Sequence, residues 1–442
     1  MTKLILPATY SLCLIIGVSS FVFAEIVWTE FTDFHLGTAV VWQFTAMFVC
    51  MIAAWRFGPR SSKVADYKAL LIIAVVVRVL LVGVEPYTSN DVSRYMFDGK
   101  IALIGLDPYV VTHDATVLAD LKSEWRPPEE HAKYPTIYPP AAIALFSLSA
   151  AFGSGKAVYV WKVLCFFASV TTLFVMVRLL RRSGKLHHIA LVALSPILVL
   201  EAGIGAHVDS FTTLTIVLVC YFYQKNKRVA VGIFIGLGML IKLIPIVLLG
   251  PLVLSSKRIL SAAKLVFAAI GVCCIGYATA LFIGLKPIGS APVFFAKWRN
   301  ASPLFEWLEH TATEPQLLAC LLIITCFTLA VVGVKSLKNN GIEGDLHSRV
   351  LLLQIVIALP LIISPVIFPW YLMPLVPLFA LRPTWTLGSW FLLLPLSYLV
   401  LNEFALNGIW QPVGWVTQAI GIGLVAGFLI DVFSFKKTRL EN

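Results

Sequence analysis

The sequence LVFAAIGVCCIGYATALFIG occupies residues 265–284 and contains no charged side chain. Its length matches the roughly 20 apolar residues that a helix needs to cross the hydrocarbon core of a bilayer. Comparable apolar runs recur along the 442-residue chain, in which 59% of the residues are hydrophobic and only 13% are charged. Because a soluble domain carries about 25% charged residues, the composition excludes a soluble enzyme, a fibrous protein and a disordered chain. It predicts an all-α polytopic membrane protein.

The apolar runs predict about 13–15 membrane helices, two of which, at 244–255 and 369–381, are short enough to be half-helices. Residues 139–152 are also apolar. We interpret them as a re-entrant or surface-lying helix on the outer side, and the alternative is a short span that shifts the count by one. The N-terminus resembles a signal peptide, with Lys3, an apolar run and Ala24 before Glu25. We favour an uncleaved first helix, and the downstream topology is the same in both cases.

The distribution of charge predicts which side of the membrane each loop occupies. With a cytoplasmic N-terminus, the inner segments hold 22 of the 34 Lys and Arg residues and 4 of the 23 acids. The outer segments hold 8 bases and 16 acids, nine of these acids in the loop 85–136. This asymmetry follows the positive-inside rule. The net charge of +11 is therefore a sign of membrane topology and does not indicate a nucleic-acid partner.

Cysteine and glycine patterns exclude several kinds of site. All eight cysteines fall within apolar runs, without the spacing of a metal site or of a disulfide framework. The sequence also lacks the phosphate-binding pattern GxxxxGK[ST]. That absence argues against an ATP-driven pump and against direct use of a nucleotide sugar. We predict no cofactor, although a divalent cation remains an alternative.

The outer loop 85–136 concentrates polar side chains after an apolar run. Ser89 or Asn90 is a candidate N-cap for a helix that starts near Asp91. Asp91, Arg94 and Asp98 are three and four residues apart and so share one side of this helix, with Lys100 also mostly off its apolar face. We interpret the segment as an amphipathic helix on the outer membrane surface. The alternative is a salt-bridged, solvated face without a function.

Four further groups of residues fall on the same side of the membrane. Glu201, His207 and Asp209 lie at a turn between two spans, where charges are unfavourable unless they are paired or functional; a metal site is a second interpretation. Lys242 lies at the end of its span and either binds a lipid phosphate or reaches the interface. The remaining candidates, each with a structural alternative as a helix start or an interfacial anchor, are Tyr138, Arg299, Trp370 and Tyr371.

The residues quoted above resemble a known family. The run Asn90-Asp-Val-Ser-Arg-Tyr-Met-Phe-Asp-Gly99, followed by Gly105-Leu-Asp-Pro-Tyr109, is similar to the first-loop motif of bacterial GT-C fold glycosyltransferases. These include polyprenyl-phosphate-mannose-dependent mannosyltransferases. Tyr138-Pro-Pro140, the turn from Glu201 to Asp209, Lys242 and Pro369-Trp-Tyr371 follow in the order found in that family. The resemblance extends over about residues 69–381.

The resemblance implies transfer of a sugar, mannose or another hexose, from a polyprenyl-phosphate donor to a lipid or glycan acceptor. The family's catalytic carboxylate matches Asp91, which we assign as the general base. The site would lie on the periplasmic face of the inner membrane, and the partners would be the donor, the acceptor and membrane lipids. The alternatives are a transporter or flippase and a ligase of lipid-linked saccharides. The residues that we expect to bind the donor phosphate or the substrate are Arg94, Tyr95, Asp98, Lys100, Tyr138, Glu201, His207, Asp209, Lys242, Arg299, Trp370 and Tyr371.

The same comparison divides the chain into three parts. Residues 1–68 are N-terminal membrane helices. Residues 69–285 form the GT-C catalytic membrane module, including the outer loop 85–136. Residues 286–442 contain the second outer loop and the C-terminal membrane helices.

Overall fold

A computed structural model describes residues 2–28, 35–256, 258–336, 346, 349–408 and 410–440. These residues form α-helices joined by short 3-10 turns, and no β-strand occurs among them. The helices are α1 (Thr2–Trp28), α2 (Leu36–Phe57), α3 (Lys68–Val82), α4 (Asp91–Leu103), α5 (Ala119–Trp125), α6 (Pro140–Ala150), α7 (Ser154–Arg182), α8 (Ala190–Ala193), α9 (Pro196–Gly203), α10 (Asp209–Gln224), α11 (Arg228–Met239), α12 (Leu249–Leu254), α13 (Ile259–Phe282), α14 (Ala291–Lys297), α15 (Pro303–Thr311), α16 (Pro315–Ser336), α17 (Val350–Ile363), α18 (Val376–Leu381), α19 (Trp385–Leu393), α20 (Val400–Asn407) and α21 (Gly414–Leu440).

The prediction of an all-α polytopic membrane protein is confirmed. Within the described ranges, six helical segments are long and apolar enough to cross a membrane, or seven if the bent pair Leu186–Ala193 and Pro196–Gly203 forms one span. Most of the other predicted spans are shorter apolar helices of 10–17 residues. Prolines explain part of this difference, because Pro196 begins α9 and Pro245 lies in the turn after α11, where each interrupts a continuous apolar run.

Loops that the charge distribution assigns to the outer side contact one another in the structure. The Lys286 amide donates to Asp107 Oδ2 at 2.9 Å, and Ser290 Oγ donates to the Pro135 carbonyl at 2.6 Å. Loops assigned to the inner side meet elsewhere, where Lys185 Nζ reaches the Leu381 carbonyl at 3.4 Å. All three contacts join segments that the charge distribution assigns to the same side.

Helix α6 lies within residues 139–152, for which the sequence allows either a surface-lying helix or a short membrane span. Its 11 residues extend about 16 Å, which is half the hydrocarbon thickness. It packs on α4, where a Cβ at Gly99 would lie 2.6 Å from the Ser147 backbone nitrogen. The short length and this close packing agree with a helix that stays at one end of the bundle.

Helix α4 is more deeply embedded than an amphipathic surface helix. Most of its residues are buried, including two of the three charged residues that were predicted to share one side, Arg94 at 5% and Asp98 at 0% exposure. The alternative of a solvated, salt-bridged face is therefore wrong. Helix α4 is instead the element that holds Asp91 against the turn after α9.

Candidate active site

Asp91 is the first residue of α4, and its carboxylate lies at the centre of a polar cluster. The Asp91 amide donates to Ser89 Oγ at 3.1 Å, which fixes the helix start. Its Oδ2 accepts a hydrogen bond from Tyr95 Oη at 3.2 Å and lies 3.4 Å from His207 Nδ1. The Asp91 side chain is 20% exposed, whereas that of His207 is fully buried. The carboxylate is therefore accessible on one side, whereas Tyr95 and His207 contact it on the buried side.

Two tyrosines orient Asp91. Tyr138 Oη donates to Tyr95 Oη at 3.3 Å, and the Tyr95 ring stacks on Phe146 with its centroid 4.5 Å away. Burial, followed by the nearby charge of Asp91, raises the pKa of Tyr95 well above its ordinary value, and the same causes raise the pKa of Tyr138. Both phenols therefore stay protonated at neutral pH, so that Tyr138 donates to Tyr95 and Tyr95 donates to Asp91.

His207 lies between two carboxylates. Its Nδ1 faces Asp91, and its Nε2 lies 3.5 Å from Glu201 Oε2. Glu201 is fully buried and accepts a hydrogen bond from Tyr398 Oη at 2.7 Å. The indole of Trp370 stacks on the imidazole at 3.8 Å with an interplanar angle of 11°. We call Asp91, Tyr95, Glu201, His207 and Trp370 the Asp91 cluster.

The turn before His207 requires a residue without a side chain. A Cβ at Gly205 would lie 2.5 Å from His207 Nε2 and 3.0 Å from Glu201 Oε2, which is too close for a real contact. Ala206 then adopts a φ of 46°, and its carbonyl accepts a hydrogen bond from Trp161 Nε1 at 2.6 Å. The glycine thus allows the imidazole to fold back over its own turn.

Gly205→Ala tests this arrangement. We expect the added methyl group to displace the His207 imidazole. The sugar transfer that the resemblance implies should then fall about 10²-fold, since small misplacements at a reacting centre have effects of this size. The matched control is Gly155→Ala, because Gly155 lies in α7 with no atom within 4 Å of a built Cβ. Transfer rates and thermal unfolding of the two variants are compared; equal activity of both would contradict the close contact.

Lys242 and Asp209 form an ion pair beside the Asp91 cluster. Asp209 is the first residue of α10 and is 2% exposed, and Lys242 lies in the turn after α11. Lys242 Nζ contacts Asp209 Oδ1 at 2.8 Å and Oδ2 at 2.9 Å. It also lies 4.1 Å from the centroid of the Tyr371 ring. Because the Lys242 side chain is 27% exposed, its cation is accessible to a ligand.

Comparison with known proteins identifies the family. A family model described as alpha-(1->6)-mannopyranosyltransferase, N-terminal domain (the MptA_B family), matches residues 7–258. The chain belongs to this family. It is therefore a membrane glycosyltransferase of the mannosyltransferase class, and the GT-C resemblance is confirmed at that level. Searches of curated proteins and of solved structures found no match.

Four of the predicted site residues lie outside both the Asp91 cluster and its neighbours Tyr138, Asp209, Lys242 and Tyr371. Arg94 Nη2 donates to the Pro135 carbonyl at 3.2 Å, and Asp98 Oδ1 lies 2.7 Å from His113 Nε2. Lys100 lies over the Trp125 ring at 5.7 Å. Arg299 pairs with Glu309 at 2.8 Å in the segment 285–315. The contacts of Arg94 and Asp98 join α4 to the rest of the segment 85–136.

Two residues that contact predicted site residues, Tyr398 and His113, were not indicated by any pattern in the sequence. Tyr398 lies within an apolar run almost 200 positions from Glu201, so no local pattern links the two side chains. His113 is one of two histidines in the loop 85–136 and belongs to no recognisable motif, yet both it and its partner Asp98 are fully buried. Among the described residues, no group of three or more His, Cys, Asp and Glu side chains is arranged to hold a metal ion.

Proposed function

We propose that this mannosyltransferase transfers a mannose from a polyprenyl-phosphate carrier to a hydroxyl group of a lipid or glycan acceptor. The observation that carries the proposal is that an accessible carboxylate, Asp91, and an accessible cation, Lys242, occur at neighbouring sites. Their partners Glu201, His207 and Asp209 are all buried. A glycosyl transfer needs a base for the acceptor and a fixed positive charge for a leaving phosphate.

In the proposed reaction, Asp91 accepts the proton of the acceptor hydroxyl. The acceptor oxygen forms a bond to the anomeric carbon while the bond from that carbon to the phosphate oxygen breaks. The electron pair of the broken bond stays on the polyprenyl phosphate. Lys242 stabilises this charge as a point cation, and Asp209 holds its ammonium in position. Since a phosphate is a good leaving group, the reaction requires no strong general acid.

The buried groups serve to position the base. Tyr95 donates to the same Asp91 oxygen that faces His207, so the carboxylate is oriented from two sides. Glu201 lies against Nε2 of the His207 imidazole and so orients the ring, and Trp370 stacks on the face of that ring. A rigid carboxylate needs little reorganisation when the acceptor binds.

A lipid-linked donor is favoured over a nucleotide sugar for two reasons. The chain has no glycine-rich phosphate loop, and its apolar helices expose large hydrophobic side chains along which a polyprenyl chain can lie. We place the site on the periplasmic face of the inner membrane, because the acidic loop 85–136 supplies Asp91 and the basic loops belong to the opposite side.

A transporter of lipid-linked saccharides is the competing proposal. The bent helix pair Leu186–Ala193 and Pro196–Gly203 carries Glu201, and broken helices are typical of transporters. The two proposals differ in their products, because only an enzyme forms a new glycosidic bond.

The test uses purified protein in proteoliposomes with polyprenyl-phosphate mannose as the donor. We expect labelled mannose to appear in a mannoside acceptor, and we expect no transfer from GDP-mannose in its place. Mannose that moves across the vesicle membrane without transfer would support the transporter. Transfer from GDP-mannose alone would contradict the lipid-linked donor.

A further inference from the structure

Apart from the Asp91 cluster, the structure contains a cavity of about 260 Å³, which we call the second cavity and which lies beyond the residues that the family model matches. It is formed by the segment after α14, by α15 and by the start of α21. Its volume is close to the lower limit of roughly 300–1,000 Å³ for small-molecule sites. The cavity therefore has room for a compact group and not for a polyprenyl chain. Its lining residues include Arg299, Phe305, Glu306, Glu309, His310 and Pro412.

The charges of the second cavity do not suit a phosphate. The Arg299 Nε lies 2.9 and 3.1 Å from the two carboxylate oxygens of Glu309, so the only arginine in the lining is already neutralised. Glu306 adds a further negative charge. Arg299, Glu306 and Glu309 together leave one excess negative charge in the lining, which would repel an anionic headgroup. The guanidinium of Arg299, expected from the sequence to bind the donor phosphate, is thus bound by Glu309.

The same lining suits a neutral sugar. A hexose presents hydroxyl groups that both donate and accept hydrogen bonds, and a paired guanidinium and carboxylate offer both functions at fixed positions. The Arg299 guanidinium lies 4.9 Å from the Phe305 ring, which limits its movement. Pro412 and the methylene groups of the lining supply apolar surface for the faces of the sugar ring.

The second cavity is tied to the Asp91 cluster through one backbone segment. The Asn300 amide donates to the Pro365 carbonyl at 3.2 Å, and the Ile367 amide donates to the Asn300 carbonyl at 2.9 Å. Phe368 follows directly and stacks on Trp370 at 4.4 Å, and Trp370 stacks on His207. A ligand in the cavity thus lies against the segment that forms one wall of the cluster.

We propose that the second cavity binds a neutral hexose unit of the acceptor glycan and so orients the acceptor hydroxyl towards Asp91. This assignment rests on the proposed function, because it gives the transferred sugar its acceptor. It separates recognition of the two substrates: the matched N-terminal part contains Asp91 and Lys242, and the C-terminal part selects the acceptor.

The test is Glu309→Gln, measured with an α-(1→6)-linked mannotriose as acceptor and saturating donor. We expect the KM for the mannotriose to rise about tenfold or more, as loss of a charge-assisted hydrogen bond implies, while kcat and the KM for the donor stay unchanged. The matched control is Glu129→Gln, because Glu129 pairs with Lys122 on the first outer loop at 3.1 Å and is outside the cavity. An unchanged acceptor KM in Glu309→Gln would overturn the proposal.

A binding measurement separates this proposal from the proposed function. Saturation-transfer NMR records contact between mannotriose and the Asp91→Asn protein, in which no transfer is expected. Binding that is lost on the further change Glu309→Gln supports the cavity even if the donor assignment fails. Binding that persists after this change would overturn the cavity and leave the role of Asp91 intact.

Discussion

Asp91→Asn abolishes sugar transfer while leaving membrane insertion and abundance unchanged, which is the largest effect that we expect. An amide cannot take the proton of the acceptor hydroxyl, and general-base catalysis contributes about 10²–10⁴-fold to the rate. The asparagine keeps the size of the side chain and can still accept the hydrogen bond that Tyr95 donates. The loss should therefore appear in kcat, measured as the initial rate of transfer at saturating substrates.

The control for this variant is a carboxylate of the same loop. Asp120 lies exposed in α5, away from the Asp91 cluster, so Asp120→Asn removes the same charge without touching the site. We expect it to transfer sugar at the wild-type rate. Comparable rates for Asp91→Asn and Asp120→Asn would exclude Asp91 as the base.

Lys242→Gln is the second change with a large expected effect. It removes the cation assigned to the leaving phosphate, and it leaves Asp209, which is 2% exposed, without its partner. Removing one partner of a fully buried ion pair destabilises a protein by about 3–5 kcal/mol, and we expect less here because Lys242 is 27% exposed. We therefore expect both a loss of transfer of about 10²-fold or more and a lower unfolding temperature, measured in detergent.

A double variant separates these two effects. Lys242→Gln combined with Asp209→Asn replaces the ion pair by two neutral groups that can still form a hydrogen bond. We expect the unfolding temperature to recover towards that of the wild type, whereas transfer stays low because the cation is missing. Recovery of transfer together with stability would mean that the lysine has only a structural role.

The fold class follows directly from the sequence, but the details of the helices do not. Uncharged runs such as residues 265–284 predict a membrane span, and α13 covers most of this run. Hydropathy alone predicts one span over residues 187–204, whereas the structure has two helices there, Leu186–Ala193 and Pro196–Gly203, with a bend of 40°. Hydropathy averages over this break, because proline and serine change the backbone more than they change the mean.

Local patterns in the sequence also found most of the Asp91 cluster. Asp91 and Tyr95 are one helical turn apart, and Glu201 and His207 belong to one turn of the chain, so each pair is visible from spacing. The contact of these pairs with Trp370 is not visible, since Trp370 lies more than 160 residues after His207. Arg299 and Glu309 are only ten residues apart, but a turn before α15 separates them, so no helical or strand period reveals their ion pair.

Burial changes the meaning of the charged residues in α4. The sequence places Arg94 and Asp98 on the side of Asp91, which is correct for an isolated helix. In the folded chain, Arg94 donates to the Pro135 carbonyl and Asp98 pairs with His113, so the loop after α4 covers this side. Only Asp91, at the end of the helix, keeps an exposed carboxylate.

The central claim is that Asp91 acts as the base in transfer from a polyprenyl-phosphate sugar. The most direct measurement compares the wild type and Asp91→Asn as purified proteins, with labelled polyprenyl-phosphate mannose and a mannoside acceptor. We predict a labelled mannoside product from the wild type and, over the same time, none above background from the variant. Equal product from both proteins, or none from the wild type with this donor, would contradict the claim.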